Sequence, residues 1–355
     1  MAANDKRVIG NVSAPSTDRD PAAPFGLHKH LVLTYDSARH ADGVGAQLHR
    51  IYGTYSIARL LGASYFHSPI GRVDYQGFAA LEGRSSDPRF HQEFNELFQI
   101  ESDVLPTDDF HAICLPWMSV ATFKQLATMF DIRRRDGRPS LIRLAFPFGV
   151  ADRFPECYEV CKAISPFAAS ASVGKGRPLR VAIHVRRGEL FALDSDRMLP
   201  NGYYIEVAQQ VARVLETLEI DYQIELHTEA PDGEFVIRPG DLGIAHRISA
   251  PVVVSREMCR LDEFRVLPRL VYRVNDKAIE CIRQLATADV LVTSRSSFSY
   301  LGGILNRAGI VLFHPFWHGA PSSWITVAPD GHFDEAQFRQ AVTARLGLAD
   351  SPAVR

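Results

Sequence analysis

Two arginines stand side by side where a strand-like run ends, in VAIHVRRGEL, Val181 to Leu190. Alternate residues of a strand share a face, so His184 and Arg186 point the same way while Arg187 opens the turn. A guanidinium keeps its charge at any working pH and forks two N–H groups toward paired oxygens, which suits a phosphate. Desolvating two of them without a counter-charge is costly. The partner is a bound anion or a carboxylate close by, Glu189 or Asp194, unless the arginines are simply exposed. A second stretch, ADVLVTSRSSFSYLGG, places Ser294, Ser296, Ser297 and Ser299 around Phe298 between a strand and a helix. Hydroxyls and free N–H groups at a helix N-terminus make an anion site, and capping accounts for only one serine. Two such turns fit a diphosphate-bearing ligand, of which a nucleotide-sugar is a simple choice. Ligands of open parallel sheets bind outside the carboxyl ends of the strands, where both turns fall.

The elements that must hold these turns alternate. Residues 30–37 read as a strand, followed by the loop RHADGVGAQ and a helix in which Leu48, Ile51, Tyr52, Tyr55 and Ala58 recur at helical spacing, with Gly62 as its C-cap. DDFHAICLP and PSLIRLAFPF are strand-like. The polar stretch DIRRRDGRP reads as a solvated loop, with an anion-binding patch as its alternative. SPFAASASVGKGRP carries no periodicity and reads as a linker. Beyond it come LRVAIHV, a helix from Asn201, YQIELHT, a helix NDKAIECIRQLATA, DVLVTS, a helix YLGGILNRA and GIVLF. Strands alternating with helices give parallel sheets covered on both faces. The expected division is a polar tail (1–25), an acceptor-side α/β domain (26–165), a linker (166–178) and a nucleotide-sugar-binding α/β domain (179–355), with a cleft between the domains.

Composition narrows the function. With 355 residues, a net charge of −2 and 46% hydrophobic residues, the chain has neither the basic footprint of a nucleic-acid protein nor an apolar run of membrane-spanning length. Of the five cysteines, Cys157 and Cys161, four apart, read as small apolar residues on one face of a helix, and the expected compartment is reducing and cytoplasmic. His314 and His318 are also four apart, but Pro315 argues against a helical metal pair, and Phe316 and Trp317 suit a cleft wall.

HVRRGE followed by TSRSSFSYLGGIL resembles the α1,2-, α1,6- and protein O-fucosyltransferase superfamily, and DGVGAQLHRIYG is similar to its Gly-rich first turn. The resemblance implies a GT-B-like fold, two Rossmann-like domains with parallel sheets facing across a cleft. It also implies an inverting, metal-independent sugar transfer, usually from GDP-fucose, with no cofactor beyond the donor. Ala46 stands where the pattern has Asn and Glu189 where many relatives have Asp, so the donor need not be GDP-fucose. Leu48 replaces the third glycine of a dinucleotide fingerprint, which argues against a dehydrogenase.

In that chemistry an acceptor hydroxyl, on a glycan or small molecule, attacks the anomeric carbon while a nucleoside diphosphate leaves. Arg186 is the expected stabiliser of the leaving group. Arg187 assists it or orients the loop, and His184 binds donor or sits as a core histidine. Ser294, Ser296, Ser297 and Phe298 complete the donor site. Glu189 is the candidate general base, with Glu229 and Asp36 as rivals. Gly43, Gly45 and Gln47 are cleft candidates, and Asp276 and Asp289 are candidates for base or ribose contacts. A non-catalytic nucleotide-sugar-binding protein of the same fold is the alternative.

Overall fold

The computed structural model describes residues 28–37, 42–71, 73, 75–81, 89–104, 109–128, 138–167, 177–193, 195–241 and 248–348. The tail at 1–25, most of DIRRRDGRP, Asp194 and the linker at 168–176 lie outside them.

In chain order the first half comprises β1 (His28–Tyr35), α1 (Val44–Leu61), β2 (Ala63–Tyr65), α2 (Phe78–Leu81), α3 (Phe90–Leu97), β3 (His111–Trp117), α4 (Val120–Thr128), β4 (Ser140–Phe146), α5 (Phe148–Ala151) and α6 (Pro155–Ala163). The second comprises β5 (Leu179–Val185), α7 (Leu190–Leu193), α8 (Asn201–Thr217), β6 (Tyr222–Thr228), β7 (Glu234–Ile237), β8 (Val252–Ser255), β9 (Leu270–Val274), α9 (Ala278–Ala286), β10 (Val290–Val292), α10 (Ser297–Leu305), β11 (Ile310–Phe313), β12 (Ile325–Thr326) and α11 (Glu335–Leu346).

The first sheet runs β2-β1-β4-β3 and the second β12-β11-β10-β5-β6-β9, with every pairing in both parallel. β7 and β8 form a separate antiparallel pair. The fold is therefore the expected one: two Rossmann-like α/β units whose parallel sheets face a common cleft. β5 is buried on both faces, with Val181, Ile183 and Val185 under α8 and Ala182 toward α9 and α10, as parallel strands between helical layers must be.

The second sheet reverses its winding once: β6 and β9 build outward from one side of β5, while β10, β11 and β12 build from the other. The crevice between β5 and β10 is the switch point, where a ligand meets no crossover connection. In the first, the chain crosses from β2 to the opposite edge at β3 and returns to β4 between β3 and β1.

The two halves share a core. Residues of β1, α1 and α6 cluster with Leu285, Leu291, Tyr300 and Leu305 of the second half. Tyr158 and Tyr300 hydroxyls lie 2.9 Å apart across this junction, and Ser165 Oγ donates to the Leu305 carbonyl at 2.9 Å. Cys157 and Cys161 are buried on one face of α6, where burial pushes the Cys157 thiol up to about 12. They are core thiols. Gly62 caps α1 in the left-handed conformation, φ 61°, as the sequence implied. α10 begins three residues before the expected Tyr300, because Ser296 caps it and accepts from the Phe298 N–H at 3.2 Å.

Candidate active site

A cavity of about 720 Å³ opens between the halves, lined by the carboxyl ends of β3 and β4 on one side and by those of β5 and β6 and the first turn of α10 on the other. His184, at the end of β5, reaches Ser294 beyond β10, Nδ1 to Oγ 2.8 Å, so the two anion-suited turns meet at the switch point. The His184 ring also packs on Phe298 at 5.6 Å. Burial, then the neighbouring Arg186, push its pKa well below the ordinary histidine value, so the imidazole is neutral.

Arg186 points into the cavity between two carboxylates. Its guanidinium pairs with Glu189 and lies 3.9 Å from Glu229 Oε2, with the Tyr75 ring 5.7 Å away. Burial opposes its charge, but Glu189 and Glu229 outweigh that and raise its pKa. Tyr75 donates to Glu229 Oε2 at 2.9 Å. Burial raises the Glu229 pKa above the ordinary glutamate value, against the pull of Arg186. Gly188, at φ 52°, leaves this cluster its room: a Cβ there would sit 2.7 Å from Glu229 Oε2.

The neighbouring arginine does something else. Arg187 is 5% exposed, bonds Asn201 Oδ1 at the start of α8 and donates to the Arg186 carbonyl at 2.8 Å. Asn201 in turn donates to Glu263 at 2.8 Å. Arg187 thus ties the β5 turn to α8, which leaves Arg186 as the cation of the pair that meets the two cleft carboxylates.

The serine turn divides its labour. Ser294 and Ser299 bond each other inside the core, Oγ to Oγ 3.2 Å, and Ser296 caps α10. Ser297 lines the cavity and meets His318 Nε2 at 3.0 Å. His318 Nδ1 lies 2.7 Å from Asp152 Oδ2, and His49 Nε2 lies 2.9 Å from Asp152 Oδ1. Among the described residues these three are the only grouping with metal-ligating chemistry, and His318 Nδ1 already shares its hydrogen with Asp152 Oδ2, which leaves that nitrogen no lone pair for an ion. His314 stands apart, packed on Tyr203.

Gly43 caps α1 and Gly45 sits against the backbone of Phe298, both on the cavity wall. Gln47 is fully buried, donating to the Asp42 carbonyl at 2.9 Å. Asp276 lines the cavity, whereas Asp36 is buried beyond its walls. Asp289 lies at the amino end of β10, away from the cleft, paired with Arg177 at 2.7 Å and Arg345 at 2.6 Å. That position takes it out of the site and gives it a structural role.

Residues the sequence did not single out complete the walls. Arg50 reaches Asp42 at 2.6 Å and lies 4.6 Å from the Phe146 ring centroid. Trp117 and Trp317, 48% and 52% exposed, flank the mouth. Arg197 covers Trp317 at 4.6 Å.

No protein-family model matches the chain, and no curated protein does. Among solved structures it is similar to E. coli ADP-heptose lps heptosyltransferase II (TM-score 0.34, 14% identity, 90% of this chain and 100% of that one). It is also similar to the fucosyltransferase NodZ from Bradyrhizobium (TM-score 0.36, 10% identity, 86% and 98%) and to E. coli heptosyltransferase WaaC (0.35, 11%, 89% and 98%). These likenesses concern the overall fold alone. Among the described residues no helix is long and apolar enough to cross a membrane.

Proposed function

We propose that the protein is a glycosyltransferase that binds a nucleotide-sugar in the cleft and passes the sugar to an acceptor hydroxyl with inversion. The observation that carries this is the half-buried Arg186 at the switch point, held between Glu189 and Glu229 in a cavity that the first turn of α10 also lines. An arriving diphosphate exchanges for Glu189 on the guanidinium fork, and Arg186 then neutralises the charge that grows on the leaving group. Glu229 is the base of choice. Its raised pKa favours proton capture, Tyr75 orients it, and it lines the cavity. The acceptor enters from the first half, past Trp117. GDP-fucose is the first donor to test, on the strength of the sequence resemblance, and the arginine supplies the positive charge a metal would otherwise bring.

Thermal shift against GDP-, UDP-, dTDP- and CMP-sugars reads donor choice without knowledge of the acceptor. One donor should stabilise the protein clearly above the others. Arg186→Ala should lower turnover by about a hundredfold or more while weakening donor binding far less, and Arg186→Lys should restore little. A folded Arg186→Ala protein with near-native turnover overturns the reading.

A further inference from the structure

The chain Ser297–His318–Asp152–His49 links the cleft wall to the buried junction of the two halves. Its proton positions follow from chemistry. A carboxylate only accepts, so His318 Nδ1 carries the hydrogen shared with Asp152 Oδ2. Burial and His49 push the His318 pKa down to about 4, while His49 and His318 together hold Asp152 ionised against its own burial. A neutral imidazole with hydrogen on Nδ1 has only an acceptor at Nε2. The Ser297 hydroxyl must therefore donate inward, at 3.0 Å, leaving no hydrogen to offer the cleft.

An anion on this wall needs the opposite. If Ser297 turns its one hydrogen toward a phosphate oxygen, two lone pairs, on Oγ and on Nε2, are left facing each other. A proton on Nε2 repairs this: the imidazolium donates to Ser297 Oγ on one side and to Asp152 on the other. We propose that donor binding at this wall takes up one proton, held on His318, through which Ser297 becomes a donor to the diphosphate. This rests on the nucleotide-sugar reading above and names how that site is regulated.

The surroundings fit a site that switches charge on binding. Asp152 faces His318 from the turn after α5, and His49 lies 4.5 Å away, ring to ring, on α1. Tyr300 of α10 stacks on His318 at 4.6 Å. Arg50 of α1 is the nearby cation, and with His49 it opposes the proton. Among the protein's own groups Asp152 is outweighed and His318 stays neutral. A diphosphate one hydroxyl away adds the missing negative charge. His318 is a positioning residue here; it meets the donor only through Ser297.

Calorimetry on the full-length protein tests this with intact GDP-fucose and the three other nucleotide-sugars, whose diphosphate diesters do not titrate near neutrality. Heats measured in buffers of different ionisation enthalpy should report uptake approaching one proton. Affinity should rise as pH falls from 8 to 6, by up to about tenfold per unit. Ser297→Ala should bind more weakly and without proton uptake. His318→Gln, whose amide donates to Ser297 permanently, should bind with no pH dependence. Measurable binding with buffer-independent heats overturns the proton coupling and leaves the donor reading standing. Failure of all four nucleotide-sugars to bind removes both.

Discussion

Gly45 and Gly43 look interchangeable in DGVGAQ, yet the structure gives them opposite weights. A Cβ on Gly45 would lie 2.5 Å from Phe298 Cα and 2.7 Å from Phe298 N, whereas a Cβ on Gly43 meets nothing within 4 Å. Ordinary carbon contacts sit at about 3.5–4.0 Å, so Gly45→Ala must part α1 from α10 by roughly 1 Å. Both partners are backbone at the first turn of a helix, so no side chain can swing aside. Overpacking of this kind costs about 1–3 kcal/mol, and alanine in place of glycine inside a helix returns about 0.5–1 kcal/mol. The expected net loss is roughly 1–2 kcal/mol in urea unfolding. Gly43→Ala, at an N-cap with φ −60°, should stay within about 0.5 kcal/mol of the native protein.

The functional effect should exceed the stability effect. The contact point, Phe298, neighbours Ser297 and packs on His184, so parting the helices shifts one wall of the cleft against the other. A misplacement near 1 Å can cost a hundredfold in rate. Donor binding and turnover should both fall in Gly45→Ala and hold in Gly43→Ala. Equal stability and activity in the two variants would refute the close approach of the two halves at this point.

Other outcomes stem from the same geometry. Asp289→Asn removes the charge that pairs with both Arg177 and Arg345 and should cost about 3 kcal/mol, near the low end for a broken buried pair because both arginines reach solvent. Arg177, the Arg180 N–H and Arg345 hold the Asp289 pKa below the ordinary aspartate value despite burial. Its stabilisation is therefore complete above the unfolded value and lost as pH falls through the folded one, so native stability should drop below about pH 4 and the drop should shrink in Asp289→Asn. Glu229→Gln should abolish transfer while leaving donor binding within a few-fold; unchanged transfer would hand the base role to another group. Transfer in excess EDTA should proceed undiminished, and a loss restored by magnesium or manganese would show that the arginine does not act alone.

The sequence carried the periodic information and missed the rest for identifiable reasons. The alternation of strands and helices, the Gly62 cap and the buried cysteine pair are local patterns, and each is present. The two anion-suited turns were legible because each sits at the end of an apolar strand. Their division of labour was not. Arg187 turns to Asn201, fourteen residues on, and nothing in RRGE distinguishes its surroundings from those of Arg186. Asp289 looked like a site residue only until the strand's direction placed it at the amino end. His49, Asp152 and His318 come from α1, the turn after α5 and the loop after β11, and only the packing of these three segments makes them one network. Tyr75 likewise comes from an irregular stretch with no period to mark it.

The charges lining the cleft point to what the ligand must bring. One guanidinium faces two carboxylates, so the Arg186 cluster carries an excess of negative charge unless a proton joins it. A diphosphate entering that cluster adds more. Other features offset this around the cavity: the N–H groups of the first turn of α10, the Ser297–His318 pair, and Arg50, Arg197 and Arg273 on its walls. The Ser297–His318 pair does so by gaining a proton. A ligand lacking negative charge would gain nothing from any of them and would forfeit the Arg186–Glu189 pair. A fixed cationic pocket would bind any anion. This one is neutralised by its own carboxylates, so it favours a ligand whose phosphates engage the arginine, the serine turn and the helix N-terminus together.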